Sequence, residues 1–271
     1  MADEPDWVPP GVDTKRANVA RVYDYWLGGS HNFLADQDLG RAIAAVEPNA
    51  RKFARSGRDF LGRAVRFLGE AGIRQFLDIG SGIPTQGNVH EVAQQADPDA
   101  RVVYADIDPV AIAHSKAILA GNEHAAIIDA DLREPEKILA HQVTGLLIDP
   151  SQPTGLLLVA VLHFIADADD PWRLVATLRD ALAPGSYLVL GHATDESSRP
   201  DVAQAAGKVY NRSVSTQIHM RSRAEILRFF DGFEFVDPGL VSPPLWRPDA
   251  PGDVPGDPSQ VWGLAGVARK P

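Results

Sequence analysis

The chain has 271 residues, 45% of them hydrophobic and 23% charged, which excludes wholesale disorder and allows one large domain or one domain with a modest extension. It contains no cysteine, which removes disulfides, thiolate zinc sites and cysteine nucleophiles, and which suits a reducing compartment. The net charge of −10 repels phosphate backbones and no apolar run is long enough for a bilayer, so we expect a cytoplasmic protein with no nucleic-acid or membrane partner.

The N-terminal region divides into a leader and three amphipathic helices. Residues 1–13 are acidic and proline-rich, without the basic and apolar parts of a signal peptide, so we predict a flexible leader there. The first helix ends at Gly28-Gly29, and the second begins with Asp36 as its N-cap. We predict a helical N-terminal cap over residues 14–72. The apolar stripe of its first helix consists of Val19, Val22, Tyr23 and Trp26.

From residue 73 onward, short apolar runs alternate with helical segments. Such alternation indicates crossover connections and a parallel sheet covered on both faces. Two last strands, over residues 233–236 and 261–267, are joined by a segment too rich in proline for a helix, so we expect them to pair antiparallel. We therefore predict one α/β domain over residues 73–271. Its earlier strands are predicted at residues 75–79, 101–105, 125–128, 156–161 and 186–190, and its helices at residues 88–95, 109–120 and 171–182.

The first of these strands breaks into a glycine turn, Asp78-x-Gly80-x-Gly82. Glycines after a strand let the backbone approach a ligand closely, and we place Ser81 between them in the same site. The third glycine of the dinucleotide pattern is replaced by Thr85, which caps the next helix, contacts the ligand, or does both. The charge of Asp78 suits a cationic amino group better than a pyrophosphate. Both details favour S-adenosylmethionine over NAD.

Carboxylates also follow the next two strands. Asp106 is placed to accept hydrogen bonds from ribose hydroxyls, and Asp108 is either its alternate or the N-cap of the next helix. Asp131 is either an acceptor for the adenine amino group or an ordinary loop aspartate, with Leu132 packed on the adenine ring. Ile107, between the first two carboxylates, belongs to the same predicted set. Carboxylates after successive parallel strands meet at the sheet edge where such folds bind ligands.

Candidate catalytic groups follow the fourth and fifth strands. His163 is either a general base for an oxygen or nitrogen nucleophile or a residue that shapes the pocket. Its neighbour Leu162 is placed with the cofactor-binding residues, and His192 is interpreted as structural.

The first helix and the turn after it are predicted to close over the cofactor. Tyr25 lies off the apolar stripe, and Asn32 follows the glycine turn as a short polar group, so we expect both to contact the ligand. Tyr23 and Trp26 are interpreted as core residues.

Two other groups of residues are not assigned to a site. The eight histidines show no His-x-x-x-His spacing, so we predict no metal site. A group of arginines is interpreted as solvated helix faces and salt bridges. These arginines are Arg212, Arg221, Arg223 and Arg228.

Taken together, these motifs resemble those of class I methyltransferases. More narrowly, the segments over residues 20–33, 160–164 and 190–194 resemble a bacterial family, the S-adenosyl methyltransferases, formerly a domain of unknown function. The likeness runs from Asn18 to Lys270. It implies a Rossmann-like, seven-stranded, mostly parallel sheet with an antiparallel terminal strand pair, and S-adenosylmethionine as cofactor. It implies nothing about the acceptor.

The favoured hypothesis is therefore an S-adenosylmethionine-dependent methyltransferase with an undetermined small-molecule acceptor, methylated on oxygen or nitrogen. The alternatives are a non-catalytic protein that binds the cofactor and, less favoured, an NAD-dependent oxidoreductase. The sequence gives no indication of the oligomeric state.

Overall fold

The computed structural model describes residues 8–271 except positions 86, 197–199, 214–215, 255–256 and 259–260. Residues 1–7 of the predicted leader lie outside the described residues. The strands are β1 (Gln75–Ile79), β2 (Arg101–Asp106), β3 (Ala125–Asp129), β4 (Gly155–Val159), β5 (Tyr187–Ala193), β6 (Glu234–Phe235) and β7 (Gly263–Arg269). The helices are α1 (Val19–Leu27), α2 (Leu34–Val46), α3 (Ala50–Glu70), α4 (Val89–Ala96), α5 (Pro109–Ile118), α6 (Pro135–Leu139), α7 (Gln142–Leu147), α8 (Pro171–Ala181), α9 (Pro200–Ser213) and α10 (Arg223–Leu227).

The seven strands form one sheet in the order β3-β2-β1-β4-β5-β7-β6. Strands β1 to β5 are parallel to one another, whereas β7 runs antiparallel to both β5 and β6. The predicted fold, a mostly parallel sheet with an antiparallel terminal pair, is confirmed. Its order places the carboxyl ends of β1, β2 and β4 side by side at one edge of the sheet.

Alternation along the strands divides the core into two layers. In β1, Phe76 packs in the layer covered by α3 and α4, whereas Leu77 and Ile79 pack in the layer covered by α6 and α8. By the same alternation Asp78 lies on the α3 side of the sheet. All three central residues of β4 from Leu156 are buried, as expected for a strand covered on both faces.

The N-terminal helices are fixed by caps and one buried ion pair. Asn18 caps α1 through its side-chain oxygen, and Gly28, with φ +84°, ends the helix as predicted. The predicted N-cap of α2 was wrong: Phe33 is the N-cap, and Asp36 lies three residues inside, where its carboxylate accepts the Phe33 N–H at 2.8 Å. Asp36 also pairs with Arg21 at 3.0 Å, and both side chains are buried. This pair connects α1 to α2.

Arg221 corrects another expectation. Its side chain is buried, donating hydrogen bonds to the Leu162 carbonyl, the Asp167 carboxylate and Nε2 of His192. A buried guanidinium needs such partners because each unpaired N–H would carry a desolvation cost. The side chain of Arg212 lies outside the described part of the chain.

The sequence pattern did not predict four helices, which are either short or near the C-terminus: α6, α7, α9 and α10. The described part of the proline-rich connection contains 3-10 turns at Pro243–Leu245 and Pro251–Asp253, and an isolated antiparallel bridge from Val241 to Ala265. This agrees with the prediction that it contains no α-helix.

Candidate functional site

The glycine turn after β1 adopts a backbone that favours glycine at both predicted positions. Gly80 has φ +74° and Gly82 has φ +67°. A Cβ on Gly80 would lie 2.3 Å from Cγ2 of Val161, in the loop after β4, so the two loops pack too closely for a side chain. A Cβ on Gly82 would meet nothing within 4 Å. Gly82 therefore faces open space at the sheet edge.

Asp106, at the end of β2, joins the loop after β1 to the loop after β2 through hydrogen bonds. One carboxylate oxygen accepts the Gly82 N–H at 2.7 Å, and the other accepts the N–H groups of Ile107 and Asp108 at 2.8 and 2.9 Å. Burial raises the pKa of Asp106, although these hydrogen bonds oppose the shift. Asp108 caps α5 by accepting the N–H groups of the second and third helical residues. The geometry thus assigns the capping of α5 to Asp108, and Asp106 is the carboxylate that lies between the two loops.

Asp78 is buried against α3, where it faces Arg58. Burial raises the pKa of Asp78 to about 7; Arg58 opposes that shift and Asp106 adds to it. Nε of Arg58 is buried and has no hydrogen-bond partner among the described residues. Sequence reasoning missed Arg58. A signal was present, because it occupies the stripe of α3 that also carries Ala54 and Leu61, where an apolar residue is expected.

Asp131 and its neighbours lie beyond the end of β3. Asp131 pairs with Arg133, with Oδ2 2.5 Å from Nη2. Partial burial disfavours the charged carboxylate, but the hydrogen bonds from Arg133 outweigh it and lower the pKa of Asp131. Leu132 is buried and Ile107 is 56% exposed, and both line the same cavity as Asp131. An exposed isoleucine at the mouth of a cavity is suited to contact with a flat ligand.

One continuous cavity of about 520 Å³ joins these residues. It begins at the strand ends, where its lining contains Gly80, Ser81, Gly82 and the carboxylates, and it extends beneath α1, α3 and α9. The volume falls in the range of sites that enclose a small molecule. Its second part is aromatic, and its lining includes Tyr23, Trp26, Phe53, Phe164, Tyr210 and Trp262.

Helix α1 therefore lines the cavity, but through different residues than predicted. Tyr23 and Trp26, which the apolar stripe suggested were core residues, reach both the core and the cavity. Tyr25 is not in the lining: its ring packs against Gly40 of α2 and lies under the guanidinium of Arg51, 5.0 Å from the ring centre. Helical periodicity explains the difference, because residues 23 and 26 lie on the same face of α1 whereas residue 25 lies on another face.

Three further predicted residues do not line the cavity. Leu162 is buried in the core layer under α8, because the turn after β4 points its side chain into the sheet interior. Thr85 does not cap α4, whose N-cap is Asn88; its hydroxyl donates instead to Asp24 at 3.0 Å. Asn32 donates to the same carboxylate at 2.8 Å.

His163 lines the cavity but is otherwise enclosed. Its Nδ1 accepts the N–H of Ala193 at 3.4 Å. Burial and the nearby His192, Arg221 and His219 lower the pKa of His163 well below its ordinary value. The imidazole is therefore neutral at neutral pH, and its protonated form is strongly disfavoured, so it would accept a proton poorly. This favours the pocket-shaping role over the general base. His219 also lines the cavity and was missed by sequence reasoning.

Burial likewise lowers the pKa of His192 to about 3. Its Nδ1 lies 2.6 Å from the Ala193 carbonyl and must donate there, so Nε2 is free to accept from Arg221. These contacts support the structural role predicted for His192.

The described residues contain neither a cluster of metal ligands nor a membrane-spanning helix. There, no three histidine or acidic side chains are grouped as metal ligands. Nor does any helix in that part of the chain have the length and apolar character needed to cross a bilayer.

Comparison with known proteins gives consistent results. The model of a family described as S-adenosyl methyltransferase matches residues 5–271. A crystal structure from Thermobifida fusca YX, classed as a methyltransferase, is 43% identical with a TM-score of 0.91, and the match covers 98% of this chain and 99% of that one. A DUF574 family protein from Streptomyces avermitilis MA-4680 is 38% identical with a TM-score of 0.91, covering 96% and 99% of the two chains.

A solved structure of lower sequence identity shares the fold. The N-methyltransferase NodS from Bradyrhizobium japonicum WM9, in complex with S-adenosyl-L-homocysteine, is 17% identical with a TM-score of 0.51, over 87% of this chain and 97% of that one. No curated protein matches the chain.

Proposed function

We propose that this chain, which belongs to the S-adenosyl methyltransferase family and is an S-adenosylmethionine-dependent methyltransferase, transfers the methyl group to an oxygen or nitrogen atom of a small molecule. The observation that carries the proposal is the continuous cavity that runs from the strand ends into an aromatic chamber beneath the helices. A cavity of this size suits a small molecule, and the chain's net charge of −10 disfavours a nucleic acid.

The residues at the glycine turn fit the amino-acid part of the cofactor. Gly82 leaves open space where a side chain would otherwise stand, and Oγ of Ser81 is buried without a hydrogen-bond partner among the described residues. Asp78 would receive the ammonium group, and the unpartnered Nε of Arg58 would receive the carboxylate. Buried polar atoms without partners are costly, and a zwitterion bound here would remove that cost.

The remaining strand ends fit the nucleoside part. Asp106 has two oxygens with several acceptor sites, so it would hold ribose hydroxyls while keeping its backbone hydrogen bonds. Ile107 and Leu132 would contact the adenine ring. Asp131 would accept from the adenine amino group, which requires it to share its carboxylate with Arg133.

When bound, S-adenosylmethionine supplies a methyl group already activated on a sulfonium, so little proton chemistry is asked of the protein. The chain's contribution is to align donor and acceptor and to exclude water. Tyr23 and Trp26 would cover the reacting centre, and His163, as a neutral imidazole, would shape the chamber without taking a proton. We also propose that residues 14–72 act as a cap on the domain formed by residues 73–271, with residues 1–13 as a leader, and that the protein is cytoplasmic.

The ribose assignment is tested by Asp106→Ala. Losing a hydrogen-bonding partner with a charge should cost about 1.5–3 kcal/mol, which corresponds to roughly tenfold or more in affinity. Titration calorimetry with S-adenosylhomocysteine measures this. Asp129→Ala is the matched control, because Asp129 ends β3 at the same sheet edge but is exposed and does not line the cavity. Unchanged affinity in a folded Asp106→Ala variant would refute the assignment.

A further inference from the structure

The aromatic chamber contains a continuous chain of ring contacts, here called the ring belt: Trp262, Phe53, His163, Phe164 and Tyr210. Trp262 stacks on Phe53, with ring centres 4.4 Å apart at an interplanar angle of 22°. Phe164 stacks on Tyr210 at 6.1 Å and 21°. His163 connects the two pairs, 6.4 Å from Phe53 and 4.3 Å from Phe164. All five residues line the cavity.

The ring belt is uncharged. Its only titratable members are His163, whose lowered pKa keeps it neutral, and Tyr210, whose pKa burial raises well above the ordinary value. A charged acceptor would lose its hydration here without gaining a partner of opposite charge from the belt. A flat apolar acceptor would gain both buried area and ring stacking, and stacking adds about 0.5–1.5 kcal/mol for each aromatic pair.

Small residues lie beside the ring belt. Helix α9 places Ala206 and Gly207 in the cavity lining, one turn before Tyr210 on the same helix. A Cβ on Gly207 would be in ordinary van der Waals contact with Met220 and Ile218, at 3.4 and 3.8 Å. The part of the lining next to Tyr210 therefore consists of small side chains.

Two ring-belt residues carry polar atoms without partners. Oη of Tyr210 and Nε1 of Trp262 are buried, and neither has a hydrogen-bond partner in the described ranges of the chain. Nε1 is a donor, and Oη keeps its proton because burial opposes ionisation. Because both residues line the cavity, a ligand that carries oxygen lone pairs would satisfy these donors once the side chains turn toward it.

We propose that the acceptor is a planar, uncharged aromatic compound carrying a hydroxyl group, held against the ring belt and methylated on that oxygen. This inference rests on the proposed function and names its substrate class. In the reaction the hydroxyl oxygen forms the new bond to the methyl carbon as the carbon–sulfur bond breaks. The electron pair of that bond remains on sulfur, giving S-adenosylhomocysteine, and the hydroxyl proton is released to water at the open mouth of the cavity.

The test separates the two halves of the cavity. Calorimetry first measures S-adenosylhomocysteine binding to the protein alone, which reports on the proposed cofactor site. With that ligand saturating, the protein is titrated with 2-naphthol, with its saturated counterpart decahydro-2-naphthol, and with 2-naphthoate as the charged comparison. We expect 2-naphthol to bind below about 1 mM and at least roughly tenfold more tightly than either comparison compound.

Variants then test the ring belt itself. Tyr210→Phe keeps the ring and removes only the hydroxyl, so we expect roughly tenfold weaker 2-naphthol binding with S-adenosylhomocysteine affinity unchanged. Tyr187→Phe is the matched control, because Tyr187 packs on Phe67 away from the cavity. Phe164→Leu should weaken the naphthol and leave the decahydronaphthol unaffected.

The outcomes are distinguishable. If S-adenosylhomocysteine binds but 2-naphthol does not, or if the saturated or charged compound binds equally well, the substrate class is wrong and the methyltransferase assignment stands. If S-adenosylhomocysteine itself fails to bind the folded protein, the proposed cofactor site is wrong. Equal effects of Tyr210→Phe and Tyr187→Phe would overturn the role of the Tyr210 hydroxyl.

Discussion

Replacing Asp24 should show how the first helix is attached to the glycine turn. The Asp24 carboxylate is buried and accepts three hydrogen bonds: from the His31 N–H at 2.9 Å, from Nδ2 of Asn32 at 2.8 Å and from Oγ1 of Thr85 at 3.0 Å. Thr85 follows the glycine turn, whereas the other two residues follow α1. One side chain thus joins the helix to the loop that lines the cofactor site.

The magnitude follows from these contacts. Each hydrogen bond to a charged group contributes about 1.5–3 kcal/mol. Asp24→Ala removes all three, but Thr85 keeps the Ile83 carbonyl as an acceptor and the Asn32 amide keeps that of Gly29. We therefore expect a loss of about 3–5 kcal/mol in the free energy of unfolding, with weaker S-adenosylhomocysteine binding.

Asp24→Asn should behave differently. Its amide oxygen would accept from His31 and Asn32, and its amide nitrogen would donate to Oγ1 of Thr85, whose own proton would then turn to the Ile83 carbonyl, 3.1 Å away. The hydrogen bonds are kept but the negative charge is lost, so the free energy of unfolding should fall by only about 1 kcal/mol.

Urea denaturation and calorimetry with S-adenosylhomocysteine measure both effects. Asp38→Ala is the control, since Asp38 forms only an exposed ion pair with Arg41 on α2 and should leave the unfolding midpoint unchanged. Equal unfolding free energies for Asp24→Ala and the wild type would show that these contacts do not hold α1 in place. A loss for Asp24→Asn as large as that for Asp24→Ala would refute the exchange of donors and acceptors.

Two other predictions concern buried charges. Burial raises the pKa of Asp78 to about 7, so the folded protein binds the proton of this carboxyl group more tightly than the unfolded chain does. The contribution of this protonation to the free energy of unfolding is present at acid pH and is lost as the pH rises through about 7. A bound ammonium group favours the ionised carboxylate, so S-adenosylhomocysteine affinity should rise with pH up to about 7 in the wild type and change less in Asp78→Asn; parallel pH profiles by calorimetry would contradict the assignment. Arg21→Ala leaves the buried Asp36 without its cation and should cost about 3–5 kcal/mol in urea denaturation, whereas Arg41→Ala, at an exposed pair, should cost little; similar losses for both would exclude a special role for the buried pair.

Much of the fold was predictable because its signals are local. The apolar runs predicted β1 to β5 within a few residues, and the alternation with helices predicted that these strands form a parallel sheet. The glycine turn and Asp106 were identified because a strand that ends in glycine or a carboxylate is visible in the sequence itself. Helices α6, α7 and α10 escaped because five or six residues give too little periodicity.

The cavity was harder to predict because a helix turns each residue toward a different neighbour. Sequence spacing placed Tyr23 and Trp26 on one face of α1, but only the positions of α2 and α3 decided that this face also meets the cavity and that Tyr25 packs against Gly40. Asn32 was predicted to contact the cofactor, but it does not line the cavity and its amide donates instead to Asp24.

The sequence by itself determined the strands, the glycine turn, the carboxylates that follow the strands and hence the class of cofactor, because each of these depends on neighbours within a few residues. The tertiary structure alone decided where remote charges meet: Arg58 of α3 opposite Asp78 of β1, and Arg221 buried beside His192. A charge is retained in the interior only where partners from distant parts of the chain converge on it, and that convergence is a property of the packed fold.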